Sequence, residues 1–349
     1  MTKWGQVYKP LKAAILGKKL KAGESFYTLD TLCEKYNVSK ITARRVLREL
    51  KLEGLLSSAG RRGTVVTDPG KNKGKNILVC LPSSSDVDNS VYKYFQGFYH
   101  IEKNCPFKIF PVQLKYLQEK YKRINDEVVL SAGLWVGEDK DGNAIEDITK
   151  FNFLTSKFNP VLIGSYKNFN GIPSVGSDYY KGFYDMTAFV VGKGHKDVAF
   201  VSPGHIQLRH APRFKGFFDA LTEGGAPFRP ELLKSNPKRD AEGIKQIMNE
   251  LLSLPRPPSA VICSSDNFAL MILDYCEEKG IKVPDDLAVT GYDNIGISSI
   301  SAPPLTTIDG RVELQSRMVV HLLEKRMGGI DISDEYVKID PVLVIRNTV

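Results

Sequence analysis

The segment SKITARRVLREL, residues 39–50, gathers the side chains best suited to reading nucleic acid. At 3.6 residues per turn, Ala43, Val46, Leu47 and Leu50 share one apolar face. Lys40, Thr42, Arg44 and Arg48 are left on the other face, with Arg45 at its flank. An arginine fork pairs bidentately with guanine in a major groove, and hydroxyls and lysines reach base edges or phosphates. Ser39 is placed to cap this helix, and Thr28 to cap the helix before it. Their hydroxyls, with the helix N-termini they close, are candidate phosphate contacts. Further on, Gly60, Arg61 and Arg62 occupy the tip of an expected hairpin, where flanking glycines let a basic wing approach a groove or backbone closely. The plainer alternative is a three-helix unit with a solvated basic surface.

A second constellation recurs where apolar runs end. Short runs at 77–81, 127–130, 160–163, 198–201, 260–263 and 287–290 alternate with helical patterns at 179–192, 213–221, 244–252 and 268–278. That rhythm predicts parallel sheets covered by helices. Ser83, Ser165, Tyr166, Ser265, Asp266 and Asp293 lie just past run ends, where open α/β sheets bind ligands. Hydroxyls, carboxylates, a guanidinium and aromatic rings around a cleft suit a polyhydroxylated molecule, with a carbohydrate the expected effector. The alternative for Ser265, Asp266 and Asp293 is ordinary helix capping.

Chemistry of other kinds finds no support. There is no G-x-S-x-G, phosphate-binding glycine loop, H-E-x-x-H or calcium loop, so neither an enzyme nor a cofactor is expected. Among the five histidines, His205 and His210 are badly spaced for a metal. The five cysteines, Cys33, Cys80, Cys105, Cys263 and Cys276, include no C-x-x-C pair, which leaves a zinc site or disulfide framework without basis. No apolar run approaches a membrane span and residues 1–10 lack a secretory core, so the expected location is the cytoplasm, with no membrane partner.

The elements that must position these groups divide at a charge boundary. Residues 1–76 hold 17 Lys and Arg against 6 Asp and Glu, a net of +11, whereas residues 77–349 come to −3. The segment TDPGKNKGKN, 67–76, has no hydrophobic residue and reads as a linker. Before it, three helices precede a short hairpin. Val7, Leu11, Ala14 and Ile15 face inward from the first, and Leu29, Leu32, Cys33 and Tyr36 from the second. The expected fold is α/β: a winged helix-turn-helix over 1–68, a linker over 69–76, and a two-lobed domain with parallel sheets over 77–349. Its first lobe is placed at about 77–176 and 306–335, and its second at about 177–305 and 336–349.

Residues 6–66 resemble the winged helix-turn-helix of the GntR family, through VYKPLKAAIL, LKAGE, VSKITARRVLRELKLEGLL and GRRGTVV. The resemblance implies contacts to an operator in double-stranded DNA from Lys40, Thr42 and Arg44 and from Gly60, Arg61 and Arg62. Ile41 stands where the family often has a polar contacting residue, and Ala43 replaces a larger aliphatic. Residues 77–349 resemble the effector domain of the LacI/GalR family, itself similar to periplasmic sugar-binding proteins. The carriers are IPSVGSDYYKG, GKGHKDVAFVS, RFKGFFDAL, PSAVICSSDNFAL, GIKVPDDLAVTGYDN, PPLTTID and PVLVIRNT. By that likeness Arg213 and Asp293 contact the ligand, and Ser265 stands where the family often has Asn or Asp. Ser83, Ser165, Tyr92, Trp135 and Tyr166 are placed only by strand position. The combination is similar to arabinose-repressor-type regulators. It implies a homodimeric repressor whose operator affinity a small molecule controls. The competing readings are a sugar-binding protein with no DNA role and an enzyme fused to the basic head.

Overall fold

The structure, a computed structural model, describes residues 3–52, 55–58, 63–67, 75–81, 89–102, 107–113, 128–132, 160–164, 171–203 and 211–349. Gly60, Arg61, Arg62, Ser83, Trp135, Ser165, Tyr166, His205 and His210 lie outside the described residues, as do the side chain of Tyr92 and the linker core.

The head is built from α1 (Lys3–Leu16), α2 (Leu29–Tyr36), α3 (Lys40–Leu52), β1 (Leu56–Ser58) and β2 (Thr64–Val66). Val7, Leu11, Ile15, Leu32, Ala43, Val46 and Leu50 meet in one apolar core, so the inward faces read from the periodicity are the packed ones. Asn37, in the left-handed region at φ 48°, turns the chain between α2 and α3. One strand partner was not anticipated. Gly23, Glu24 and Phe26 bond to Val66 and Thr64, and Ser25 bridges Val65, giving the wing a third backbone ribbon.

The remainder forms two lobes. In the first, β3 (Lys75–Leu81), β4 (Phe107–Gln113) and β5 (Val128–Ala132) make a parallel sheet in the order β4-β3-β5. Beside it, β6 (Leu162–Ile163), β7 (Ser174–Ser177) and β13 (Tyr336–Ile339) pair in parallel. α4 (Asn89–Glu102) and α9 (Val312–Met327) cover this lobe through Phe98, Ile101, Val319 and Leu323.

The second lobe holds a six-stranded sheet, β14-β12-β11-β10-β8-β9. Its strands are β8 (Val198–Ser202), β9 (Leu233–Ser235), β10 (Ala260–Cys263), β11 (Ala288–Tyr292), β12 (Thr306–Asp309) and β14 (Val342–Val344). Only β14 runs antiparallel among these pairs. Its helices are α5 (Tyr179–Gly192), α6 (Ala211–Glu223), α7 (Ala241–Leu252) and α8 (Asp266–Lys279). Strands β8, β10 and β11 are buried throughout, as expected for a sheet covered on both faces. Cys263 and Cys276 are free thiols that serve as small hydrophobes in this core.

The lobe boundaries need correcting. Residues 306–309 were expected in the first lobe, yet β12 pairs with β11 in the second. Residues 336–339 were expected in the second, yet β13 pairs with β7 in the first. The chain therefore crosses between lobes at 177–179, 309–312 and 339–342. Pairing across distant segments decides lobe membership, and strand pattern alone does not reveal it.

Candidate DNA interface and effector cleft

In the head, local capping sets up α3. The Thr28 hydroxyl accepts from the Thr31 backbone N–H at 3.2 Å and opens α2. The Ser39 hydroxyl accepts from the Thr42 N–H at 3.3 Å and lies 3.1 Å from the Thr42 hydroxyl, so both residues begin α3 as a mutual cap. Ile41, Arg44, Arg45 and Arg48 form an exposed stripe. Arg45 is steadied by the Trp4 ring, 4.4 Å from the guanidinium carbon. Lys40 pairs with Asp30 at 3.1 Å, but both are mostly exposed, so the pair is weak. Arg48 lies 3.4 Å from Glu49.

The face of α3 that carries Arg44, Leu47, Arg48 and Lys51 abuts the first lobe. Arg44, Arg48 and Lys51 face His321, Lys325 and Glu335 across a cavity of about 460 Å³. His321 is held neutral: burial, reinforced by Lys325, lowers its pKa to about 4. α9 thus runs from the lobe crossing at Arg311 to a position against α3.

The cleft is assembled from both lobes. From the second, the Arg213 guanidinium lies 4.5 Å above the Tyr179 ring and 5.4 Å above Tyr292, and donates to the Ser264 carbonyl at 3.4 Å. Tyr292 stacks on Phe183, with ring centroids 5.2 Å apart, and its hydroxyl lies 2.8 Å from the Ser177 hydroxyl. Asp293 follows β11 with φ 112°, and Asn294 has φ 50°, so two consecutive non-glycine residues sit in the left-handed half of the map. Such conformations each cost about 1–3 kcal/mol and persist only where neighbours impose them.

The neighbours that impose them come from both lobes. Lys93 of α4, from the opposite lobe, donates to the carbonyls of Asp293 and Asn294, the latter at 3.2 Å, and to Asp309 Oδ1 at 3.2 Å. A lysine ammonium has three protons, and here all three have acceptors. Asn294 Nδ2 donates to Asp309 Oδ2 at 3.2 Å, and Arg346 donates to Asn294 Oδ1 at 2.6 Å. Tyr94, also on α4, is pushed up in pKa by burial, with Tyr179 and Asp293 against it, and remains a neutral phenol. Lys93, Tyr94 and Tyr179 escaped sequence reasoning. Their only signal was a position near the start of α4 or at the lobe crossing.

Two expectations change. Asp266 is turned into the protein and away from solvent. It has no exposed surface, and its carboxylate accepts from the Ile295 N–H at 2.9 Å, the Ser298 hydroxyl at 2.6 Å and the Thr307 hydroxyl. It is the anchor beneath the 293–298 loop. Even a methyl on Gly291 would meet its Oδ1 at 2.2 Å. Ser265 occupies the cap position of α8, yet its side chain makes no capping bond, so capping does not account for that hydroxyl. Of the predicted cleft residues, the structure thus brings Arg213 and Asp293 to the same strand ends, with Ser265 beside them at the start of α8.

His195 is engaged elsewhere, 3.0 Å from the Ser259 hydroxyl, and burial lowers its pKa. Among the described residues no group of three His, Cys, Asp or Glu could hold a metal, and no helix is long and apolar enough to cross a membrane.

Comparison with known proteins agrees with both halves. Residues 4–66 match the bacterial regulatory proteins of the gntR family, and residues 187–349 match the periplasmic binding protein-like domain. The chain is 30% identical over 336 residues to the HTH-type transcriptional repressor PurR of Histophilus somni, spanning 94% of this chain and 96% of that protein. It is 27% identical over 299 residues to catabolite control protein A of Priestia megaterium, spanning 83% and 85%. The solved structure of transcription regulator CcpA of Lactococcus lactis superposes with a TM-score of 0.65 at 21% identity, covering 79% of this chain and 99% of that one. The CelR–cellobiose complex superposes with a TM-score of 0.66 at 19% identity, covering 89% and 92%.

A winged head on a two-lobed domain with these relatives defines a ligand-responsive DNA-binding regulator rather than an enzyme. The chain belongs to the LacI family of transcriptional repressors, with a GntR-type DNA-binding head.

Proposed function

We infer that the effector is a small polyhydroxylated molecule, a carbohydrate, held between the lobes of a homodimeric repressor. The observation that carries this is the Arg213 guanidinium stacked above Tyr179 and Tyr292 beside the Asp293 loop. A guanidinium and a carboxylate bind vicinal hydroxyls, and Tyr179 and Tyr292, buried beneath Arg213, hold that guanidinium in place. The strained 293–294 backbone is gripped by Lys93 of the other lobe, so a ligand that engages Asp293 bears directly on lobe closure. Movement at the crossing reaches the head along α9, which ends against α3. Ligand and operator then compete through one equilibrium, with a coupling of about 1–3 kcal/mol. The DNA-facing groups are Lys40, Thr42, Arg44, Arg45 and Arg48, supported by the caps Thr28 and Ser39.

The test is a thermal-shift screen of the purified protein against mono- and disaccharides, with cellobiose and the nucleobases included because a guanidinium also pairs with the acceptor edge of a planar base. A sugar at 100 times its dissociation constant raises stability by about 2.7 kcal/mol. Arg213→Ala should abolish that shift while leaving duplex binding intact. A nucleobase shift with no sugar shift overturns the carbohydrate reading, and a full sugar response in Arg213→Ala overturns the placement of the pocket.

A further inference from the structure

The stripe that α3 presents to solvent is cationic except at its first position. Arg44, Arg45 and Arg48 are exposed, and above them Ile41 is 79% exposed. Within the described head, Leu16 at 44% is the one other large apolar side chain counted as exposed. The spacing 41, 44, 45, 48 is one helical face, opposite the fully buried Ala43, Val46 and Leu50. Ile41 therefore belongs to the reading face and not to the core. It is the second residue of α3, within the first turn after the cap formed by Ser39, at the end of the helix that enters a groove first.

A side chain that can neither donate nor accept has one apolar target on the edges of base pairs in a major groove, the C5-methyl of thymine. Surrounding arginines supply the charge complementarity that brings a phosphate-lined groove to this position. Arg44 and Arg48 line the cavity against the first lobe, whereas Ile41 does not, so the effector domain leaves it uncovered. We propose that Ile41 is a specificity-determining residue that packs on the 5-methyl group of an operator thymine. This rests on the reading of α3 as the DNA-reading helix.

The experiment uses the full chain. A duplex is selected from a randomised pool, and each of its thymines is then replaced singly by deoxyuridine, which removes only the methyl. Wild type should lose about threefold to fivefold in affinity at one thymine or more, the factor that burying one methyl supplies. Ile41→Ala should bind the thymine and uracil duplexes equally, and Ile41→Val should retain part of the difference. The substitution is on the surface, so an unchanged melting temperature shows that folding is not the cause. If no deoxyuridine swap affects wild type, or if Ile41→Ala keeps the full sensitivity, the proposal is overturned. If Ile41→Ala instead lowers the association state, the residue contacts a second copy of the chain and the proposal is equally overturned. If no duplex is enriched or bound at all, it is the DNA-reading role of α3 that fails.

Discussion

Asp266→Ala should cost the effector domain about 3–5 kcal/mol, because it strands three donors at once. The Ile295 N–H, the Ser298 hydroxyl and the Thr307 hydroxyl all end on this carboxylate, and all three residues are buried. A buried donor left without a partner costs about 1–3 kcal/mol. The amide cannot turn away, whereas the hydroxyls can rotate, which keeps the total at the lower end of the about 3–9 kcal/mol that three such donors sum to. Against a typical stability of about 5–15 kcal/mol, that is a large fraction. Asp266→Asn should cost far less, since an amide oxygen in the place of Oδ2 still accepts from Ile295 and Ser298, and the NH2 in the place of Oδ1 can donate to the Thr307 hydroxyl. Urea denaturation followed by circular dichroism measures both. The pH dependence gives an independent check. Burial raises the carboxyl from 3.8 to about 6, although the bonds from Ser298, Thr307 and Ile295 oppose this. The folded state then holds a proton more tightly than the unfolded state, so this group favours folding most below pH 4, and the advantage is lost as pH rises through 6. Wild type should therefore gain about 1 kcal/mol relative to Asp266→Asn between pH 7 and pH 5. An alanine variant within about 1 kcal/mol of wild type, together with parallel pH curves, refutes the view of Asp266 as the loop anchor.

Two further outcomes are expected. Lys93→Met removes the tie between α4 and the carbonyls of residues 293 and 294 and should raise amide exchange over residues 293–296 about tenfold, the equivalent of one charge-assisted bond. Unchanged protection there would show that Lys93 does not hold the loop. Ser39→Ala should destabilise the head by about 1 kcal/mol through loss of the α3 cap, read as an earlier melt of the head's helical signal, and a melt identical to wild type would count against that cap.

The head was legible because its information is local. Helical periodicity placed Ala43, Val46 and Leu50 inward, and each is fully buried, while Ser39 and Thr28 cap within a single turn of chain. The alternation of apolar runs with helical patterns likewise announced a covered parallel sheet, and β8, β10 and β11 are buried accordingly. The buried engagement of Asp266 was not legible, because cap, ligand contact and buried anchor all begin with the same acidic residue before a helix. Its true partners are 29 to 41 positions away.

What the chain alone determined was therefore the charge division, the reading helix and the kind of sheet, all set by propensities acting over a few residues. Only the tertiary structure decided that Lys93 would meet a loop 200 residues on, that β12 and β13 would exchange lobes relative to expectation, and that Asp293 would be held at φ 112°. Those outcomes depend on which distant segments pack together, and the free energy that selects them resides in contacts no local pattern contains.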